Sequence, residues 1–158
     1  MTKKSVEERL DEVLKGATCF GAVPEEAVQE AEAQLGVSFP ISYRLFLKRF
    51  GASLFVGPYE VYGLATNDSS SEEPPLYTNV VLANRQMSRQ HQDGFLEKRI
   101  IICDDGSETF FFLNLREITD SECAVGSVEP GRVNEVVAKD FIHLLDILKA
   151  ACGRGDGA

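Results

Sequence analysis

The sequence predicts an α+β fold, a single domain with a mostly antiparallel central sheet and helices packed against it. Three observations carry that expectation. Apolar residues recur at helical spacing in blocks before Gly51 and again near the C-terminus. Two apolar runs, Ile100 to Cys103 and Thr109 to Leu115, flank an Asp-Asp-Gly-Ser turn and read as a β-hairpin. The order of elements is helices, strands, one helix, strands, helix, which is not the βαβ alternation of a doubly wound sheet.

Each element has a local reason. Ser5 and Glu8 stand at capping-box spacing, and Val6, Leu10, Val13 and Leu14 then form one apolar stripe ended by Gly16. Pro24 opens the next helix, with Glu25 and Glu26 placed against the positive end of its dipole. Val28, Ala31 and Leu35 are its inner face, and Gly36 closes it. Pro40 opens a third helix whose stripe is Tyr43, Phe46, Leu47 and Phe50, stopped by Gly51. That aromatic stripe is core, not a cofactor box.

The period then changes. Leu54 to Val56 and Tyr59 to Leu64 are short β-prone runs around a Gly57-Pro58 turn. Residues 65–75 form a polar loop. A helix from Tyr77 through Val80, Val81 and Ala83 runs towards His91 and is broken at Asp93-Gly94. After the hairpin, Ala124 to Val128 is a weaker strand, followed by a turn at Glu129-Pro130-Gly131. Asp140 caps the last helix, with Phe141, Leu144, Leu145 and Leu148 inward. The domain is expected to span residues 1–152, with 153–158 as a flexible Gly-rich tail.

A chain of 158 residues buries roughly 70% of the surface its unfolded form exposes, enough for one sizeable core. Sixteen Lys and Arg stand against 25 Asp and Glu, a net charge of −9. Such a surface repels nucleic acid and favours positively charged partners. The charge is concentrated. Between Asp104 and Glu135, eight acidic residues face only Arg116 and Arg132, leaving −6 in one segment. Arg44, Lys48 and Arg49 make a locally basic stretch suited to pairing with acidic neighbours in the fold.

Cys19, Cys103, Cys123 and Cys152 match no zinc-ligand spacing, and only His91 and His143 could supply imidazole. The polar N-terminus carries no apolar leader and no stretch is long enough for a membrane span, so a cytoplasmic location with free thiols is expected. No phosphate-binding loop, dinucleotide fingerprint, nucleophile elbow or zinc-protease motif is present. Asp104, Asp105 and Glu108 could in principle hold a hard cation, but a hairpin tip is where Asp and Gly belong for turn chemistry alone. His143 lies one turn from both Asp140 and Asp146, without a nucleophile to serve. Cys103 falls inside an apolar strand, where thiols are inert. The reading is therefore non-enzymatic, with no catalytic residues, no metal and no cofactor.

The segment Val23 to Gly51, VPEEAVQEAEAQLGVSFPISYRLFLKRFG, resembles the signature of the SUKH superfamily. Its "AE..LG" runs from Ala31 to Gly36 and its "FP..YR.FL...G" from Phe39 to Gly51. Ile101 to Leu115 is similar to the family's second landmark, an apolar strand, a Gly–acidic turn and an aromatic strand. Asn114 departs from the Asp that members often carry there. The resemblance implies an α+β domain with a central sheet. It implies bacterial immunity proteins that bind and neutralise polymorphic toxins, frequently nucleases, or eukaryotic regulators of cell-wall synthesis. It brings no catalytic residues with it.

Nuclease toxins tend to be basic, so an acidic inhibitor suits them. The expected surface is the segment from Asp104 to Glu129, centred on Asp104, Asp105, Glu108, Asp120 and Glu122. Two other readings compete with a protein that binds a basic toxin domain and neither nucleic acid nor membrane. One is an intracellular regulatory or scaffold module binding another protein. The other is a metal-dependent hydrolase using the DDGSE turn.

Overall fold

The computed structural model of the chain describes residues 4–55, 57–64, 79–90 and 97–156, with backbone alone at residues 90 and 152–156. In order the elements are α1 (Val6–Val13), β1 (Thr18–Cys19), α2 (Glu25–Leu35), α3 (Ile41–Phe50), β2 (Ser53–Leu54) and β3 (Glu60–Val61). They continue with α4 (Val80–Gln90), β4 (Arg99–Asp104), β5 (Phe110–Thr119), β6 (Glu122–Glu129), β7 (Arg132–Ala138) and α5 (Phe141–Asp156). The strands form one sheet in chain order, and every neighbouring pair is antiparallel. The expected α+β fold is therefore what the chain adopts: among the described residues, five helices and a seven-stranded antiparallel sheet in one domain.

Local chemistry sets the helix ends as the sequence suggests. The Ser5 hydroxyl accepts the Glu8 N–H at 3.1 Å and donates to the Glu8 carboxylate at 3.2 Å. Gly36 closes α2 in the left-handed conformation, at φ 69°. Asp140 accepts the His143 N–H at 2.8 Å, capping α5. Asn79 does the same for α4, accepting from the N–H groups of Val81 and Leu82 at 3.0 and 3.1 Å.

The core lies between the helices and one face of the sheet. Tyr43, Phe46 and Phe141 are fully buried, and Phe141 meets the other two edge to face, with centroids 5.2 Å apart for Tyr43–Phe141 and 5.3 Å for Phe46–Phe141. Each such side chain contributes about 1.5–3 kcal/mol on burial. The Tyr43 hydroxyl would be costly there without a partner, and it donates to the Tyr62 carbonyl at 2.7 Å. Paired positions of neighbouring antiparallel strands share a face. The row Ile100, Leu113, Val125 and Ala138 therefore points one way, and all four are buried.

The short strands β1–β3 fold against the end of α3 through a close backbone crossing. A Cβ added at Gly63 would lie 1.7 Å from the Gly51 carbonyl oxygen, and one at Gly51 would lie 2.2 Å from that of Gly21. Leu64 N–H donates to the same Gly51 carbonyl at 2.9 Å. Only glycine permits this approach.

Some elements differ from the sequence reading. β7 is a full strand that the sequence did not announce, because its residues RVNEVVA lie at a sheet edge and bury little. β1 is too short to leave a pattern. α5 runs on to Asp156, so residues 153–156 of the expected tail carry helical backbone. The expected polar loop at 65–75, the helix start at Tyr77, its end at His91 and its Asp93-Gly94 breaker, and Val56 all lie outside the described residues. Among the described residues no helix is long and apolar enough to cross a membrane.

Candidate protein-binding surface

The acidic segment divides between the two ends of the sheet. β5 is ten residues long, about 33 Å at strand rise, with the 105–109 turn at its start and the Asp120-Ser121 turn at its end. Asp104, Asp105 and Glu108 therefore stand at one end, and Asp120 and Glu122 at the other.

At the first end Asp104 is buried, 8% exposed. Its carboxylate accepts from the Tyr62 hydroxyl and from the Gly106 N–H, the latter at 2.7 Å. Burial first, then the neighbouring Asp104 carboxylate, drives the Tyr62 phenol well above its ordinary range, so it remains a donor. Asp105 shapes the turn, accepting from the N–H groups of Ser107 at 2.9 Å and Thr109 at 3.3 Å. Glu108 is exposed and projects from the tip. The β6–β7 turn lies alongside, and Glu129 accepts from the Thr109 hydroxyl at 3.2 Å. Glu60 pairs in register with Asp104. The nearby cation is Arg132, 3.9 Å from Glu129.

At the second end Asp120 and Ser121 make a two-residue turn with positive φ at both, 53° and 64°. That is the geometry of a tight hairpin whose twist matches its strands. Asp120 is exposed. Glu122 turns inward and serves α3, whose N-cap residue Pro40 offers no side-chain acceptor. The Glu122 carboxylate accepts the Ser42 N–H at 2.9 Å and the Ser42 hydroxyl at 2.7 Å. Ile41 N–H donates to the Ser121 carbonyl at 3.0 Å, fastening the hairpin to the same helix end. Burial raises the Glu122 carboxyl above its usual value, partly offset by these Ser42 bonds. Lys98, Arg99 and Arg116 line a cleft of about 360 Å³ beside this end, together with Glu97, so its charge is mixed.

The other candidates resolve into structural roles. His143 Nδ1 accepts the Lys139 N–H at 3.0 Å, which makes the imidazole part of the α5 cap. Cys19, Cys103 and Cys123 are free thiols. Burial pushes the Cys103 thiol well above its ordinary value and the Cys123 thiol up to about 12. The side chain of Cys152, and His91 altogether, lie outside the described residues. Among the described residues, no group of three or more His, Cys, Asp or Glu side chains could hold a metal ion.

The basic stretch on α3 pairs as its sequence suggested. Arg44 reaches both Glu25 and Glu32, Lys48 lies 3.2 Å from Glu25, and Arg49 lies 2.6 Å from Asp11. The Arg44 guanidinium, then Lys48, hold the Glu25 carboxyl down at about 2. Glu32 also accepts the Phe39 N–H at 2.7 Å, tying the α2–α3 turn to Arg44.

Two features gave no signal in the sequence. Asn84 on α4, 4% exposed, accepts the Ile101 N–H at 2.7 Å and donates to the Ile101 carbonyl at 2.8 Å. Its carboxamide thus takes the place of a strand beside β4, where the two-residue β3 ends. Arg99, on β4, reaches Glu135 on β7 at 2.6 Å, and Asn114 on β5 donates to the same carboxylate at 3.3 Å. This bonding assigns a role to Asn114 in mid-strand: its amide donates where an Asp would set a second carboxylate against Glu135.

These parts define a class: an α+β domain whose polar side chains cap, clamp and form turns, and whose net surface charge is acidic. The chain belongs to the SMI1 / KNR4 family (SUKH-1), whose family model matches residues 22–147. That family includes toxin immunity proteins and is generally non-catalytic. No curated protein matches the chain. The signature of the first block is thereby explained as structure: Glu32 and Arg44 lock the α2–α3 turn, Gly36 and Gly51 end helices, and Tyr43 and Phe46 fill the core.

Proposed function

We propose that this chain is an immunity protein that binds and neutralises a polymorphic toxin, through charge complementarity with a basic, nuclease-type toxin domain. The observation that carries the reading is the predominantly acidic end of the sheet, where Asp105, Glu108 and Glu129 gather and Glu129 pairs with Arg132 at 3.9 Å. Fixed carboxylates of one sign steer a cationic partner and reject anionic ones. Asp105 and Glu108 are the contact carboxylates in this reading, with Asp120 a further one at the far turn. Asp104 and Glu122 hold the turns that present them. The binding is stoichiometric and needs no catalytic group, metal or cofactor, and it takes place in the cytoplasm.

The test is co-expression with the product of the adjacent gene, followed by capture of the tagged chain at low and high salt. The expected result is rescue of growth and recovery of one basic toxin domain, with weaker capture at high salt. Recovery of an endogenous cytoplasmic protein without any rescue would sink the immunity reading in favour of a regulatory or scaffold module.

A further inference from the structure

The helices cover one face of the β4–β7 sheet; on the opposite face Ile101 and Phe112 are fully buried, whereas Phe110, Val128 and Val133 remain accessible in part. Register places Glu60, Asp104, Phe110, Val128 and Val133 in one row across five strands, on a common face. Alternation along β5 sets Phe110 and Phe112 opposite Leu113, which belongs to the buried helix-facing row. On a solvent-facing row polar residues are the ordinary choice. Here Phe110 and Val128 are only half-buried, and Val133 is 44% exposed.

The face is also held rigid. The Arg99 guanidinium lies over the Phe112 ring at 5.6 Å while bonding Glu135, which links β4, β5 and β7 across it. At Gly126 a Cβ would come within 2.4 Å of the Phe112 ring and 2.5 Å of the Asn134 carbonyl oxygen, so the strands close tightly beneath that ring. Three residues of β7, Glu135 to Val137, stand against the single Gly126 of β6. Such a bulge discourages strand addition at the edge, which leaves the face as the surface a partner can use.

We propose that this face, centred on Phe110, Val128 and Val133, is where the partner docks, and that the partner presents apolar side chains flanked by lysine or arginine. The proposal rests on the toxin-binding reading and names its surface. The flanking charge follows from the border: Asp105, Glu108 and Glu129 occupy the two turns at the end of this row. An apolar centre within a charged rim is the usual division of labour in a protein interface. A second copy of the chain is the wrong occupant, because each copy carries −9 and the same carboxylate border.

The test uses the full chain and three short peptides, alternating lysine with valine, lysine with serine, and glutamate with valine. Amide shifts are followed by NMR, and sedimentation is run at the same concentrations. The lysine–valine peptide is expected to shift Phe110, Val128 and Val133, and to bind about tenfold or more tightly than either control. Val133→Lys, at an exposed position, is expected to abolish those shifts with the thermal melt unchanged. Ile118→Lys, 51% exposed at the far hairpin, is expected to leave them intact. Shifts confined to another surface, equal loss in both variants, or a dimer in sedimentation would overturn the assignment. Toxin rescue separates the two readings. Equal rescue by wild type and Val133→Lys would remove the surface and keep the immunity role. Peptide docking without rescue by any variant would do the reverse.

Discussion

The two ends of the sheet draw on one acidic stretch of sequence and put it to different work. At the 105–109 turn, Asp105 is satisfied by N–H groups of its own turn, which leaves Glu108 exposed and the local field negative. At the 120–121 turn, Glu122 is spent on the N-terminus of a helix 80 residues away in sequence, and the exposed Lys98 and Arg116 stand on the same side of the sheet. A carboxylate satisfied locally still projects a field outward. One that bridges to another element becomes part of the frame. The difference is one of partners, not of residue type.

The largest contrast is expected in binding. Replacing Asp105 and Glu108 together by lysine cancels the negative charge of the first end. The affinity for a basic toxin domain should fall about 100-fold, some 2.7 kcal/mol, at low salt. Asp120→Lys at the second end should change it less than about threefold. Isothermal titration of both variants checks this, and equal losses would erase the distinction between the ends.

Next in size is the buried carboxylate. Tyr62→Phe removes the hydroxyl that serves Asp104 and leaves the Gly106 N–H as its remaining donor among the bonds described. A hydrogen bond to a charged group is worth about 1.5–3 kcal/mol, and urea unfolding should register a loss in that range. Glu122→Ala ranks just below, at about 1–2 kcal/mol, since it strips α3 of its only side-chain N-terminal acceptors among the described residues. Glu108→Ala, at an exposed tip, should stay within about 0.5 kcal/mol.

How much of this was legible follows from where each signal resides. Ser5, Pro24, Pro40, Gly36 and Asp140 announce helix ends because capping is local chemistry, read within three or four residues. The β4–β5 hairpin was legible because burial gives β4 an unbroken apolar run. β7 was not, since an edge strand with exposed Val133 and Val136 carries no such run. The acidic stretch was visible as charge, but its division between opposite ends depends on the length and direction of β5. The bonds Glu122–Ser42 and Asn84–Ile101 join residues 80 and 17 positions apart. No local pattern encodes such pairings, so only the folded chain discloses them.

The smallest expected effect is the most specific to the frame end. In Glu122→Gln the amide oxygen can accept the Ser42 N–H while the amide nitrogen donates to the Ser42 hydroxyl, so both bonds survive without a charge. At neutral pH the variant should lie within about 0.5 kcal/mol of the wild type, or slightly above it, because the half-buried charge is gone. The sign then depends on pH. Burial, with Asp140 adding to it and Arg9 opposing it, raises the Glu122 carboxyl above its unfolded value of 4.5. Between those two values folding takes up a proton at this site, so the wild type gains stability as pH falls through the window, and the gain is complete below 4.5. The glutamine variant has no such gain. Its standing relative to wild type should therefore be flat above the raised value, decline as pH falls from that value towards 4.5, and then level off. Urea titrations of both proteins across that range measure it directly. A difference that stays flat would mean that the carboxylate at the α3 terminus is as well solvated as Glu108 at the opposite tip, and the two ends would then differ in geometry alone.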